Sequence, residues 1–136
     1  MDISSCLERL PPWHSNRLSR LIKTPKLHLA DTGLASALLG VNAEFLLKDR
    51  TMLGQLLETF VLRERKRQAS WSDPLLQFHH FRNKDDVEVD IVMEKAGKVA
   101  GMEIKAAATV MKKDFRGIPP DYYCMTGLRS ASICWE

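Results

Sequence analysis

The sequence predicts one α/β domain in which a long helix precedes three strands. Two stretches carry that expectation. From Thr51 to about Arg67, apolar residues recur at three- and four-residue steps (Leu53, Leu56, Leu57, Phe60, Val61). That spacing forms one buried stripe on an amphipathic helix. Further on, Glu88-Val-Asp-Ile-Val-Met-Glu94 and Val99-Ala-Gly-Met-Glu-Ile-Lys105 flank a turn at Lys95-Ala-Gly-Lys98. They read as two paired strands. Side chains alternate faces along a strand, so Glu88, Asp90 and Glu94 share one face and Glu103 and Lys105 share another. Pairing lets Asp90, Glu103 and Lys105 converge. Two carboxylates beside one ammonium are costly to assemble unless a cation or a reaction uses them.

The bulk numbers frame this reading. The chain has 136 residues, 45% apolar and 27% charged, with a net charge of +3. Such a length supports one modest core. The mild basicity is compatible with a polyanion partner. Cys6, Cys124 and Cys134 form no CxxC pair, which argues against a disulfide framework or a zinc site and for a reducing cytoplasm. No apolar run approaches the roughly 20 residues of a bilayer span. The first residues lack the cationic and apolar regions of a secretory signal.

In chain order, Pro11-Pro12 is a rigid stop. Arg17, Arg20, Lys23 and Lys26 recur at steps of three. They make either a solvated face or a face for phosphate. Lys26 to Ala30 reads as a short strand. Asp31-Thr-Gly33 is turn or N-cap chemistry, and Leu34 to Leu39 is a short helix closed by Gly40. On the long helix, Glu58 lies on the flank of the apolar stripe, with Gly54 one turn earlier. Arg63 to Arg67 supplies cations to its C-terminal turn. Ser70 to Pro74 reads as a loop, Leu75 to Arg82 as a strand, and Asn83 to Asp86 as a hairpin turn. Val110 to Arg116 suggests one or two helical turns. Gly117, Pro119 and Pro120 end them. Tyr122 to Met125 suggests a last strand, and Leu128 to Glu136 an irregular tail.

Asp90, a twelve-residue gap, Glu103-Ile-Lys105, and Glu58 on a preceding helix together resemble the PD-(D/E)xK nuclease superfamily. The resemblance is closer than that. Leu10-Pro-Pro-Trp-His14, Lys23-Thr-Pro-Lys26, Asp31-Thr-Gly-Leu34, Gly54-Gln-Leu-Leu-Glu-Thr-Phe-Val61, Phe81-Arg82, Glu88-Val-Asp90 and Glu103-Ile-Lys105 are similar, in order, to a C-terminal domain of unknown function. That domain follows an AAA-type ATPase module in bacterial and archaeal proteins. The resemblance implies a restriction-endonuclease-like core of helix, three strands, helix and strand, here with the last helix and strand shortened or altered. It divides the chain into an N-terminal remnant over 1–30, a nuclease-like domain over 31–127 and the tail over 128–136. No GxxxxGK[ST] phosphate loop occurs, so ATP hydrolysis by that route is excluded.

The resemblance also implies a site. The residues matching Glu58, Asp90 and Glu103 bind magnesium, with manganese as a substitute, and Lys105 orients or activates the attacking water. Such chemistry suits phosphodiester hydrolysis of DNA or RNA. Val89 replaces the proline of the superfamily name. The expected partners are nucleic acid and an ATPase, with no membrane. A different class of function stays open: a non-catalytic DNA-binding or assembly module derived from such an ATPase. Glu88 is the nearest rival to Asp90, and Arg82 can meet phosphate or pair with Glu88. His79 and His80 read as one buried and one wet strand residue. Gly54 suggests close packing.

Overall fold

A computed structural model describes residues 6–13 and 24–106, with the backbone of strands 123–127 and 130–133. The architecture is mixed α/β. Strands β1 (Leu7–Leu10) and β2 (Lys26–Leu29) pair antiparallel into a small sheet. Helices α1 (Thr32–Leu39), α2 (Ala43–Lys48) and α3 (Arg50–Ser72) follow. Strands β3 (Gln77–Arg82), β4 (Glu88–Lys95), β5 (Lys98–Ile104), β6 (Tyr123–Gly127) and β7 (Ser130–Ile133) then form one sheet in that order. The β5–β6 pair is parallel and the other three pairs are antiparallel.

Capping chemistry sets the helices. Asp31 Oδ1 accepts from Leu34 N at 2.7 Å. Gly40 ends α1 at φ 65°, where a residue without Cβ carries no penalty. Asn42 caps α2 by accepting from Phe45 N at 2.9 Å. Asp49 caps α3 by accepting from Thr51 N and Met52 N. The α3 helix runs to Ser72, past the loop expected from Ser70. After Arg67 no glycine or proline interrupts it before Pro74, and the Ser70 and Ser72 hydroxyls bond back to the carbonyls of Arg67 and Gln68.

The core lies between α3 and one face of the large sheet. Leu10, Leu62, Ala69, Phe78, Ile91, Met93, Ala100, Met102 and Ile104 are buried there together. The inward line of α3 keeps Leu57 and Val61 of the expected stripe but not Phe60. Leu62 is fully buried, whereas Phe60 is 49% exposed. At about 100° per residue, Phe60 lies about 200° from Leu62 and points away from the sheet. Glu58 lies only about 40° from Leu62, so it faces the sheet.

The described parts of the N-terminal stretch pack against the rest of the fold. Leu10 is buried in the main core. His80 N donates to Pro11 O at 2.9 Å, and Trp13 N donates to His80 O at 2.7 Å. These bonds extend β1 along β3, so the boundary expected at residue 30 does not divide the fold. The expected irregular tail also differs, because Ser130–Ile133 pairs with β6. The expected β3 start at Leu75 moves to Gln77, with Leu75 74% exposed after Pro74. The expected helix at Val110 to Arg116 and the basic stretch Arg17 to Lys23 lie outside the described residues.

The β4–β5 turn uses two residues of positive φ, Ala96 at 51° and Gly97 at 77°. Two such residues match the twist of a tight antiparallel hairpin. Leu62→Ala should lower unfolding stability by about 3 kcal/mol, since its side chain fills a closed interior. Denaturant titration of the variant measures this, and a loss below about 1 kcal/mol would contradict the packing described.

Candidate functional site

A register break in β4 positions the site. Along β3 and β4, His79 pairs with Val92 but Phe81 pairs with Val89. Two steps on β3 therefore span three on β4, the signature of a bulge on β4. An unbroken strand would place Val89 on the face of Ile91 and Met93. Instead Val89 packs with Val92, Trp13, Phe81 and Val99, while Ile91 and Met93 face α3. The strict alternation expected for residues 88–94 is thus interrupted at Asp90–Ile91. The bulge also frees Asp90 from ordinary ladder pairing. Its Oδ2 accepts from the Ile104 backbone N–H at 2.8 Å.

Asp90 then meets a residue that sequence reasoning left on a solvated or phosphate-binding face. Lys26, on β2, places its Nζ 2.9 Å from Glu58 Oε1, 2.6 Å from Glu88 Oε1 and 3.6 Å from Asp90 Oδ1. One ammonium thereby gathers acids from α3 and from the N-terminal half of β4. Burial opposes the charge on Lys26, but Glu58, Glu88 and Asp90 outweigh it and raise its pKa. Lys26 is a fixed cation. Burial likewise pushes Glu88 upward, yet Lys26 dominates and holds it below its ordinary value. Glu88, the expected rival to Asp90, is bound into the same cluster. Arg82 instead reaches Asp86 at 3.6 Å.

Glu103 stands on the neighbouring strand. Its Oε1 lies 2.5 Å from Lys105 Nζ, while its Oε2 is buried with no hydrogen-bond partner. Burial and then the Asp90 charge push Glu103 to about 7, with Lys105 opposing. Burial and then the Glu58 charge push Asp90 to about 6, against the Ile104 N–H, Lys26 and Lys105. Two buried carboxyls on adjacent strands thus hold protons nearer neutrality than ordinary acids do.

The structure joins Glu58 to Asp90 through Lys26 and couples Asp90 to Glu103 by charge. It does not close the three acids into one shell. Among the described residues, no group of three or more His, Cys, Asp or Glu is arranged to hold a metal ion. The oxygen donors nonetheless suit magnesium, which takes one or two carboxylates and keeps several waters. The unpartnered Oε2 of Glu103 beside Asp90 is the best-fitting position.

Two histidines lie near this cluster. His28 Nδ1 is 3.0 Å from Thr59 Oγ1, and its Nε2 is 3.8 Å from Glu58. Burial and the Lys26 charge lower its pKa to about 4, so the ring is neutral at pH 7. His80 is buried against the Thr24 carbonyl, at 2.9 Å from Nε2, and His79 is half-buried rather than wet. Gly54 has no close neighbour: an added Cβ would sit 4.0 Å from Ala106 Cβ. Close packing therefore does not require glycine there. The signal that could have revealed Lys26 was present in its alternation with His28 on a short strand.

The fold and cluster define a mixed α/β domain with a buried acidic site bridged by lysine. Its family is a known one: the chain belongs to Domain of unknown function (DUF4143), whose model matches residues 53–124. A second model, Domain of unknown function (DUF8612), matches residues 3–44 and so spans β1, β2 and α1. Uncharacterized protein Mb2031c of Mycobacterium bovis and uncharacterized protein Rv2008c of Mycobacterium tuberculosis are each 34% identical over 103 residues. Those alignments cover 76% of this chain and 22% of each relative. The chain thus spans about a fifth of the length of these curated relatives. No solved structure matches it. No helix among the described residues is long and apolar enough to cross a membrane.

The raised Glu103 carboxyl has a stability consequence. Below about pH 4.5 it is protonated in both folded and unfolded chains and costs nothing. Between about pH 4.5 and about 7 the unfolded chain releases this proton while the folded chain keeps it, so stability falls through that window and levels off above it. Glu103→Gln should therefore stabilise the protein by about 2 kcal/mol at pH 8 and leave it unchanged near pH 4. Thermal or urea unfolding at the two pH values measures this. Equal effects at both would remove the burial argument.

Proposed function

We propose that this domain has a nuclease-type site of the PD-(D/E)xK kind, acting on phosphodiesters of DNA or RNA with magnesium or manganese. The observation that carries the reading is the pair Asp90 and Glu103. Both are buried on adjoining strands, both are held above the ordinary carboxylate range, and Glu103 keeps one oxygen unpartnered. Burying such a pair destabilises a fold, and such arrangements concentrate at functional sites. The order α3, β3, β4, β5 supports a restriction-endonuclease-like core, and the parallel β5–β6 pair is consistent with its closing strand. The ordered motifs and the much greater length of the relatives support a place beside an AAA-type ATPase module.

Each residue has a physical part in this reading. Asp90 and Glu103 would hold the ion. When bound, a divalent ion supplies polarisation of the phosphoryl oxygen and a water of lowered pKa. The Ile104 N–H fixes the Asp90 carboxylate. Lys105 restrains Glu103 and, half-exposed at 40%, can reach an incoming phosphate. The helix cations contribute less to nucleic-acid binding than their number implies. Arg63 and Lys66 are drawn to Glu8, and Arg67 to Glu64.

Lys26 favours a second reading. Its three acid contacts also fasten the N-terminal hairpin to α3 and β4. On that reading the cluster is a clasp in a non-catalytic DNA-binding or assembly module. Incubation with single- and double-stranded DNA and RNA in Mg2+ or Mn2+ separates the two. Under the first reading, wild type cleaves, and Asp90→Ala and Lys105→Ala each lower the rate by about two orders of magnitude or more. Cleavage equal in all three proteins, or absent from wild type, rejects it.

A further inference from the structure

Building on the nuclease-type reading, we infer that Lys26 is the built-in second cation of this site, so that the domain takes one divalent ion where a two-ion site would take two. Asp90 is the dividing residue. Its Oδ1 faces Lys26 at 3.6 Å, while the ammonium sits closer to Glu58 at 2.9 Å and Glu88 at 2.6 Å. At 3.6 Å that contact is ionic and lies beyond hydrogen-bond length. A carboxylate offers about four acceptor directions. Asp90 commits one of these to the Ile104 N–H and keeps capacity on its other side. Glu103 lies across from it on β5, one step on from the Ile91–Met102 pair, and its Oε2 is buried and unpartnered. Asp90 thus stands as a bridging carboxylate, with a fixed ammonium on one flank and a free oxygen donor on the other.

Charge gives an independent count. The cluster holds the carboxylates of Glu58, Glu88, Asp90 and Glu103 against the ammonium groups of Lys26 and Lys105. With all four carboxyls ionised, as metal binding would require, two negative charges remain, and one divalent ion balances them. A second divalent ion beside Lys26 would meet like charge at close range. Two-metal phosphodiester sites place their ions about 3.5–4 Å apart around a shared carboxylate oxygen. Lys26 would supply one of those two positive charges, attached covalently to β2. Its positive charge cannot diffuse away, and the three acids keep it protonated.

The test is Mn2+ stoichiometry on the full chain, by calorimetry and by electron paramagnetic resonance. Wild type should bind one Mn2+ with no spin coupling between ions. Lys26→Arg, which keeps the charge, should also bind one. Lys26→Met should bind two, and saturated samples should show coupled Mn2+ pairs. Two ions in wild type would overturn the inference whatever the variants do, including if Lys26→Met fails to fold. A single ion in folded Lys26→Met would overturn it too, while leaving the Asp90–Glu103 site standing. No ion in wild type but one in Lys26→Met would make Lys26 a plug and not a partner, again overturning it. No ion in any of the three proteins would remove the nuclease-type reading along with it.

Discussion

One ammonium group organises this domain. Lys26 reaches from the short N-terminal sheet to an acid on the long helix and to two acids around a break in β4. Removing Lys26 would leave three partly buried carboxylates without their shared counter-charge, a damaging way to disturb such a cluster. The arrangement is held from both directions. Leu10 enters the main core, and Glu8 draws Arg63 and Lys66 of α3 onto the same small sheet. Lys66 also lies 6.0 Å above the Phe78 ring. The ionic and apolar contacts of the N-terminal hairpin therefore reinforce a single placement of Lys26.

The bulge in β4 is the second constraint. It turns Asp90 and Ile91 out of strict alternation, so a polar residue can join the cluster while the next residue fills the core. The opposite face is closed by Val89 and Val92 beneath Trp13, whose indole N–H donates to Glu94 at 2.9 Å. Both faces of β4 are thus committed. A strand covered on both sides is a firm support for a side chain that must hold its position.

Much of this was legible in the sequence. The helix, the two hairpins, the Asp31 cap and the Gly40 stop all follow from local chemistry, because caps and tight turns are decided by a few neighbouring residues. Glu58, Asp90, Glu103 and Lys105 were visible through their spacing and their resemblance to a family. The rest depends on contacts distant in sequence. Phe60 looked buried because an apolar residue at helical spacing says nothing about which side the sheet will occupy. Lys26 looked like part of a basic stripe because its partners lie at least 32 residues away. The bulge left no mark in Glu88-Val-Asp-Ile-Val-Met-Glu94, which reads as an ordinary alternating strand. β7, in Ser-Ala-Ser-Ile, is set by pairing with its neighbour and has no pattern of its own.

The distance between these partners along the chain has a kinetic meaning. A nascent or partly folded chain can form α3 and the β4–β5 hairpin from local contacts alone, and such elements form early. Lys26, Glu58 and Asp90 cannot meet until the β1–β2 pair docks beside β3 and against α3, which closes a long loop and comes late. The acids therefore spend the early stages of folding in water, each with its ordinary affinity for protons. Their altered chemistry arises only when the last long-range contacts close. The site is a property of the finished fold and is absent from its parts.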